Sequence, residues 1–360
     1  MALNPLSCDL FCRVIDNYGD IGVCWRLAQQ LQGEYGWQVR LWIDEPVLLP
    51  QLATPNPDIE VCHWSTSFPE VTPAKIVIEA FACELPDNYL AAMAQQQDKP
   101  LWINLEYLCV EDWGPSFHCQ PSPHPRQPLT KYFFVPGIQP GTGGLLCEQD
   151  LLERRANHTH TPRPALDVFL FCYDNPALPH LLTAWVNGPQ PIHCRVAAGK
   201  PAAQIGEWLN MDFAPRMHFQ RGMLSLEALP FVPQSDFDAL LWQSDLNFVR
   251  GEDSFARAQW AALPMIWHIY PQAEDAHHTK LAAFQQHYSS GLDAAAANAL
   301  TTFTGIWNGL ITPTETNISA AWEELNCVLP ALKTHAVGWQ KQLLTLGNLA
   351  ENLAIFHKNR

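Results

Sequence analysis

A chain of 360 residues carrying a formal charge of −15, with 48% hydrophobic and 16% charged residues, has too much apolar material for a disordered protein and too great a length for one comfortable core. The negative charge argues against a phosphate backbone or an anionic membrane as partner and fits a basic protein surface better, the alternative being that it serves solubility alone. No window reaches the ~18 apolar residues of a membrane span, and the start MALNPLSCDLF lacks a basic segment leading into a long apolar stretch. The eleven cysteines, odd in number and without a CxxC pair, read as reduced thiols, so a cytoplasmic protein is expected.

Along the chain, the apolar run Leu6 to Val14 predicts a strand, broken by Asp16-Asn17-Tyr18-Gly19-Asp20 before a helical pattern from Ile21 to Leu31. Further strands are predicted at Gln38 to Ile43, Ile59 to His63, Ile76 to Glu79 and Leu101 to Asn104, with a helix near Leu85 to Gln97. From Gly114 to Leu166 the pattern dissolves into proline-rich and polar sequence, including the turn Gly141-Thr142-Gly143-Gly144, and a domain boundary is expected there. Alternation resumes with a strand at Asp167 to Cys172, a helix at Leu178 to Val186 and a strand at His193 to Val196. Apolar segments follow at Met217 to Gln220, Ala228 to Val232, Leu246 to Val249 and Pro264 to Tyr270. Amphipathic stretches at Ala273 to His287, Ala294 to Trp307, Ile318 to Val328 and His335 to His357 close the chain. Strands alternating with helices make this an α/β protein of two parallel-sheet domains. The expected domains are 1–160, completed by a returning helix at 335–360, and 161–334.

Ligands of open α/β sheets bind beyond the carboxyl ends of the strands, so chemistry is sought in the loops that follow strands. The first such loop carries Asp16 and Asp20, four residues apart, with glycines that permit close approach. One carboxylate suits a general base and the other its orienter, while Asp20 is also placed to cap the following helix. A second loop, Arg250-Gly251-Glu252-Asp253-Ser254, sits where a strand turns into a helix. There a guanidinium and helix N–H groups suit a diphosphate, and the carboxylates suit sugar hydroxyls; Asp253 or Ser254 acting only as a helix cap is the alternative. The run Gly141 to Gly144 lacks the Lys-Ser/Thr that would make it a phosphate loop. His158, His160, His277 and His278 lie at no diagnostic metal-ligand spacing, so no metal is expected.

Three stretches, VIDNYGDIGVCWRLA, PSPHPRQPLTKYFFVPG with TGGLL, and VRGEDSFARAQWAALPMIWHIYPQ, together resemble the EarP family of bacterial arginine rhamnosyltransferases over most of the chain. The resemblance implies a GT-B fold, two Rossmann-like domains facing across a cleft, that inverts the anomeric centre without metal or cofactor. It implies dTDP-β-L-rhamnose as donor and an arginine in the first domain of elongation factor P as acceptor. By the same resemblance Asp20 is the candidate base and Asp16 its acidic neighbour. Phe171, Phe231 and Phe237 form a thymine pocket with Tyr173 and Gln234 nearby. Arg250, Glu252, Asp253 and Ser254 hold ribose and diphosphate, and Tyr270 touches the donor. The rival readings are a GT-B transferase for another nucleotide sugar and a small acceptor, or a non-catalytic nucleotide-sugar or protein-binding module on the same fold.

Overall fold

The computed structural model describes residues 5–15, 18–159 and 163–360; Asp16 and His160, named above, lie outside them. The chain divides into two compact units, 1–149 together with 343–360, and 150–342. The division stands beside the sequence-based borders at 160/161 and 334/335.

The strands of the first unit are β1 (Ser7–Cys12), β2 (Gln38–Ile43), β3 (Ile59–His63), β4 (Ile76–Ala80), β5 (Leu101–Leu105), β6 (Pro121–Pro123) and β7 (Thr130–Phe134). They lie in the order β3-β2-β1-β4-β5-β7-β6. All neighbours run parallel except β6 against β7. β6 and β7 come from the proline-rich stretch in which the sequence predicts no strand. β6 is three residues of Pro-Ser-Pro at the sheet edge, the one place where a strand tolerates residues that cannot donate.

The second unit holds β8 (Leu166–Leu170), β9 (Ile192–Val196), β10 (His218–Arg221), β11 (Leu224–Ala228), β12 (Leu246–Arg250) and β13 (Met265–His268). Their order is β10-β11-β9-β8-β12-β13, parallel apart from the β10–β11 hairpin. The predicted segment Ala228 to Val232 is instead the end of β11 and a loop, because Pro230 and Pro233 interrupt it. Strands such as β4 and β8 are buried along their whole length, as parallel strands covered on both faces must be, which explains why they are apolar but for Glu79 in β4 and Asp167 in β8.

Two buried charged groups of the first unit are paired. Asp9 on β1 is completely buried and receives Nε and Nη2 of Arg40 at 2.6 and 2.7 Å, Trp42 Nε1 at 3.2 Å and the Ala74 backbone N–H at 2.9 Å, as well as the Tyr89 hydroxyl. On the other face, Arg26 of the Tyr18–Tyr35 helix pairs with Glu148 through Nε at 2.7 Å and Nη2 at 2.8 Å.

The helix predicted from His335 to His357 is two helices. A proline inside a helix costs ~3 kcal/mol, yet Glu315–Leu344 continues through Pro330. Its buried stripe of Ile318, Trp322, Leu325, Leu329, Leu332, Ala336 and Trp339 keeps a three- and four-residue spacing on both sides of the proline. A second helix, Leu349–Lys358, starts at Asn348, whose side chain accepts from Glu351 N. Leu349, Ala350, Leu353 and Ala354 join the core built by β1, β4 and the Tyr18–Tyr35 helix.

The glycine run prepares the seat of that last helix. Leu349 N donates to Leu145 O at 3.0 Å and Asn352 Nδ2 to Gly143 O at 3.0 Å. Gly144 has φ +72°, and a Cβ there would stand 2.6 Å from Gly347 O. This run holds chain against chain, which is the ordinary-turn reading of it.

Leu353→Ala is expected to cost about 2–5 kcal/mol, because Leu353 is fully buried. Ile355→Ala, on the exposed side of the same helix, should change stability by no more than about 0.5 kcal/mol. Urea unfolding of both variants reads the difference.

Candidate active site

Parallel sheets leave a crevice where neighbouring strands send their crossovers in opposite directions. In the first unit that point lies between β1 and β4, and in the second between β8 and β12. Asp20 follows β1, Phe171 and Tyr173 follow β8, and Arg250 to Ser254 end β12 and begin the Asp253–Ala261 helix. Every predicted group with a described position after these strands therefore sits at a switch point.

Asp20 lies in the first turn of the Tyr18–Tyr35 helix with 4% of its surface exposed. Its Oδ2 accepts from Ile15 N at 2.8 Å, tying the loop after β1 to the helix start. Below it the Cys12 thiol is pushed up by its hydrogen bond to Cys24, by burial and by the negative charges of Asp20 and Asp44. All eleven cysteines are free thiols.

In the second unit the guanidinium of Arg250 lies 4.5 Å from the centroid of the Phe171 ring and 4.4 Å from that of Tyr173. Phe237 meets Phe171 edge-on at 5.6 Å, and Tyr270 meets Tyr173 edge-on at 5.4 Å. Five of the predicted residues thus form one cluster. A guanidinium over aromatic faces gains about 0.5–2 kcal/mol and keeps its donor fork in the ring plane's direction, preset for a phosphate. Phe231 lies on the loop after β11, half exposed at 51%.

The loop after β12 is held by its own backbone chemistry. Ser254 Oγ accepts from Arg250 N at 3.0 Å and donates to Arg250 O, and Trp267 Nε1 donates to Gly251 O at 2.8 Å. Gly251 turns at φ +61°, a region that costs a side chain energy. Ser254 thus fixes the turn that aims the N–H groups of the following helix.

Each acidic residue of the loop has a cation. Lys280 Nζ lies 2.7 Å from Glu252 Oε1. Asp253 Oδ2 accepts from Gln234 Nε2 and from Arg257 Nε, both at 3.1 Å, and Arg257 Nη1 reaches both oxygens of buried Asp238 at 3.0 Å. Sequence reading overlooked Arg257, Asp238 and Lys280. Arg257 was discoverable, because it stands four residues after Asp253 on one helix; Asp238 and Lys280 carry no local signal.

His268 was also missed. It ends β13 opposite Arg250 in register, against the rings of Tyr173 and Trp307 at 5.4 and 5.9 Å. Its Nδ1 is buried without a partner. Burial, with repulsion from Arg250 and His277, drops its pKa to about 3, so it faces the cluster as a neutral ring.

A small cavity of about 40 Å³ opens beside this loop, lined by Gly251, Glu252, Trp267, Tyr270, His277 and Lys280 among others. A larger hollow of about 330 Å³ lies along the Lys200–Leu209 helix and the turn after it. That turn is at the opposite end of the helix from β9, hence at the amino edge of the sheet.

Asp275, His277 and His278 bring ligand-type atoms within 4.8 Å of one another. The His277 Nδ1 lone pair accepts from Gln272 N at 3.1 Å, which leaves the proton on Nε2, and His278 Nε2 sits 3.3 Å from Asn308 O. One ready imidazole lone pair and one exposed carboxylate fall short of a metal site.

Two Rossmann-type sheets that share a five-strand parallel core order, β3-β2-β1-β4-β5 and β11-β9-β8-β12-β13, each with a charged group at its switch point, have the architecture of a glycosyltransferase of the GT-B type. Comparison with known proteins gives the family. Residues 8–358 match the model of the elongation-factor P rhamnosyltransferase EarP. The chain is similar to the protein-arginine rhamnosyltransferase of Pseudomonas putida, 42% identical over 98% of each chain, and to that of Neisseria meningitidis, 34% identical over 98% of this chain and 97% of that one. Among solved structures it resembles one described as the structural basis for EarP-mediated arginine glycosylation of translation elongation factor EF-P. That match has a TM-score of 0.69 and 32% identity over 98% of this chain and 99% of the other. It shares the fold alone with the glycosyltransferase of kitacinnamycin, TM-score 0.55 and 13% identity over 98% of each chain. The chain belongs to the EarP family of protein-arginine rhamnosyltransferases. No helix among the described residues is long and apolar enough to cross a membrane.

Arg257→Met should destabilise the protein by up to about 3–5 kcal/mol, because it leaves the buried Asp238 carboxylate only the longer 3.9 Å pairing with Arg154. Arg257→Met combined with Asp238→Leu should recover most of that loss. Urea unfolding of the single and double variants measures both.

Proposed function

We propose that the chain transfers L-rhamnose from dTDP-β-L-rhamnose to an arginine of elongation factor P, in the cytoplasm, with inversion and without a metal ion. The observation that carries this reading is the contrast between the two switch points. That of the second unit presents a stacked guanidinium and a helix N-terminus, and that of the first presents the buried carboxylate of Asp20. The first arrangement suits a nucleoside diphosphate and the second a cationic acceptor. The family membership and the names of the relatives supply the sugar and the protein acceptor.

On this reading the base stacks at the aromatic cluster of Phe171 and Phe237, with Phe231 closing over it from its exposed loop and Gln234, Tyr173 and Tyr270 lining the nucleotide and sugar. Arg250 and the N–H groups of the Asp253–Ala261 helix meet the diphosphate, while Glu252 and Asp253 accept from sugar or ribose hydroxyls. Ser254 contributes by fixing the turn. Charge that collects on the leaving β-phosphate oxygen is met by Arg250 and the helix, in the role that a divalent ion plays elsewhere.

A guanidinium has a pKa above ~12 and delocalised lone pairs, so it attacks only if a positioned base takes its proton as the C–N bond forms. Asp20 takes that proton. The guanidinium nitrogen bonds to the anomeric carbon from the face opposite the diphosphate, the C–O bond to dTDP breaks, and the β-anomer becomes α. Asp16 assists by aligning the guanidinium.

Purified protein incubated with dTDP-rhamnose and unmodified elongation factor P should add one deoxyhexose to one arginine, read by mass spectrometry. Asp20→Asn should fold and bind dTDP with near-unchanged affinity yet lose about 10²–10⁴-fold in single-turnover transfer. Near-normal transfer by the folded variant would reduce Asp20 to the structural bond it makes with Ile15.

A further inference from the structure

The carboxyl edge of the first sheet carries a second built feature that the mechanism above leaves unused. β4 ends at Ala80, and the chain then turns through Phe81, Ala82 and Glu84, all at positive φ between +52° and +58°. Asn104 of β5 is fully buried and spans this turn: its Oδ1 accepts from Ala82 N at 3.1 Å, and its Nδ2 donates to Oε1 of Glu106. Glu106 directly prolongs β5, with its N–H on Phe134 O at 2.9 Å. The next side chain, Tyr107, is 39% exposed and stacks on Phe81 with centroids 4.4 Å apart and planes at 14°. A half-buried carboxylate, oriented by a buried amide, therefore stands beside a rigid aromatic pair.

This edge is the one from which the Asp20 loop rises. β4 lies between β1 and β5, so the two loops leave the sheet about 10 Å apart, two strand spacings. That span suits one acceptor guanidinium with its alkyl stem. The chemistry also calls for a second carboxylate. When Asp20 takes one proton from the guanidinium, the rhamnosylated group is still basic, and a positive charge entering a partly dry site needs a counter-charge that stays ionised. An aromatic face takes the flat side of the same group.

We propose that Glu106, with the Phe81–Tyr107 pair, forms the acceptor-arginine seat of this enzyme: Glu106 receives the guanidinium N–H groups and stays ionised while Asp20 accepts the reacting proton. The assignment rests on the reading of Asp20 as the acceptor-side base. Glu106 is a substrate-binding residue here and Asn104 a positioning residue. Burial raises the Glu106 pKa, Lys131 and the Asn104 hydrogen bond lower it, and Glu79 raises it, with a net upward shift. Lys131 of β7 and Glu79 of β4 are the charged groups facing it. They are engaged with each other at 3.3 Å, and Glu79 also accepts from Trp102 Nε1. Because Glu106 must be ionised to hold the arginine, acceptor binding should weaken as pH falls through this raised pKa.

The test is steady-state transfer to elongation factor P by the full chain with both substrates varied, alongside calorimetric dTDP affinity and a melting curve. Glu106→Gln keeps the acceptor oxygen for Asn104. It should raise the acceptor KM by about ten-fold or more, leave dTDP affinity within about two-fold, and move the acid limb of kcat/KM for the acceptor to lower pH. Tyr107→Ala, at an exposed position, should raise the acceptor KM by about three-fold or more, again without weakening dTDP, and it carries the test if Glu106→Gln melts early. An unchanged acceptor KM in both variants, or an equal loss of dTDP affinity, overturns the seat. Failure of the wild-type enzyme to modify elongation factor P while it still binds dTDP would instead sink the underlying functional reading.

Discussion

The structure depends on one constraint of parallel sheets: where the strand order reverses, no crossover covers the carboxyl edge. β1 with β4 and β8 with β12 are the two pairs at which this happens. Polar side chains placed there are not forced to satisfy one another across a packed layer, and they point into solvent or a ligand. Asp20 and Arg250 stand at these two points and Glu106 one strand further along the first edge, Asp20 anchored by a backbone N–H, Glu106 by an amide and Arg250 by two rings. Elsewhere the same sheets tolerate charge only when it is matched, as Asp9 is by Arg40, Trp42, Tyr89 and a backbone N–H.

The two edges differ in how they hold charge. In the second unit Lys280 pairs with Glu252, and Arg257 separately pairs with Asp253 and Asp238, so both acidic residues of the loop are tied to the body of the unit. Gains from such buried pairs are modest, since desolvation offsets most of the attraction. Their contribution is geometric, because Asp253 is fixed by two donors and Arg250 by two rings. In the first unit Asp20 accepts from Ile15 N and Glu106 from Asn104 Nδ2, with Lys131 facing Glu106.

The ends of the chain show how a fold repays local cost. Pro330 removes a hydrogen bond from the middle of a 30-residue helix, and the apolar stripe that continues past it outweighs the loss. The helix that follows is received by a glycine run in which added Cβ atoms would collide with Phe134 or the Gly347 carbonyl. Glycine is needed there for close approach of one chain segment to another.

The sequence alone determined much of the architecture and pointed to the loops of the proposed site. Predominantly apolar runs marked β1, β4, β5 and β8, each interrupted by one buried acid or amide, because strands covered on both faces show no regular alternation. The loops around Asp20 and Arg250 were legible because polar and small residues concentrated after such runs have few other uses, and the three long motifs pointed to the family. Tertiary structure decided what sequence distance conceals. The edge strand β6 lay hidden in a proline-rich stretch, since only a neighbour's hydrogen bonds make Pro-Ser-Pro a strand. Lys280 met Glu252, His268 met Tyr173 and Arg250 came to rest on Phe171 through pairings of remote strands and helices. Glu106 is an ordinary glutamate in the sequence, and only the register of β5 beside β4, with Asn104 bridging the turn, gives it a place at the same edge as Asp20.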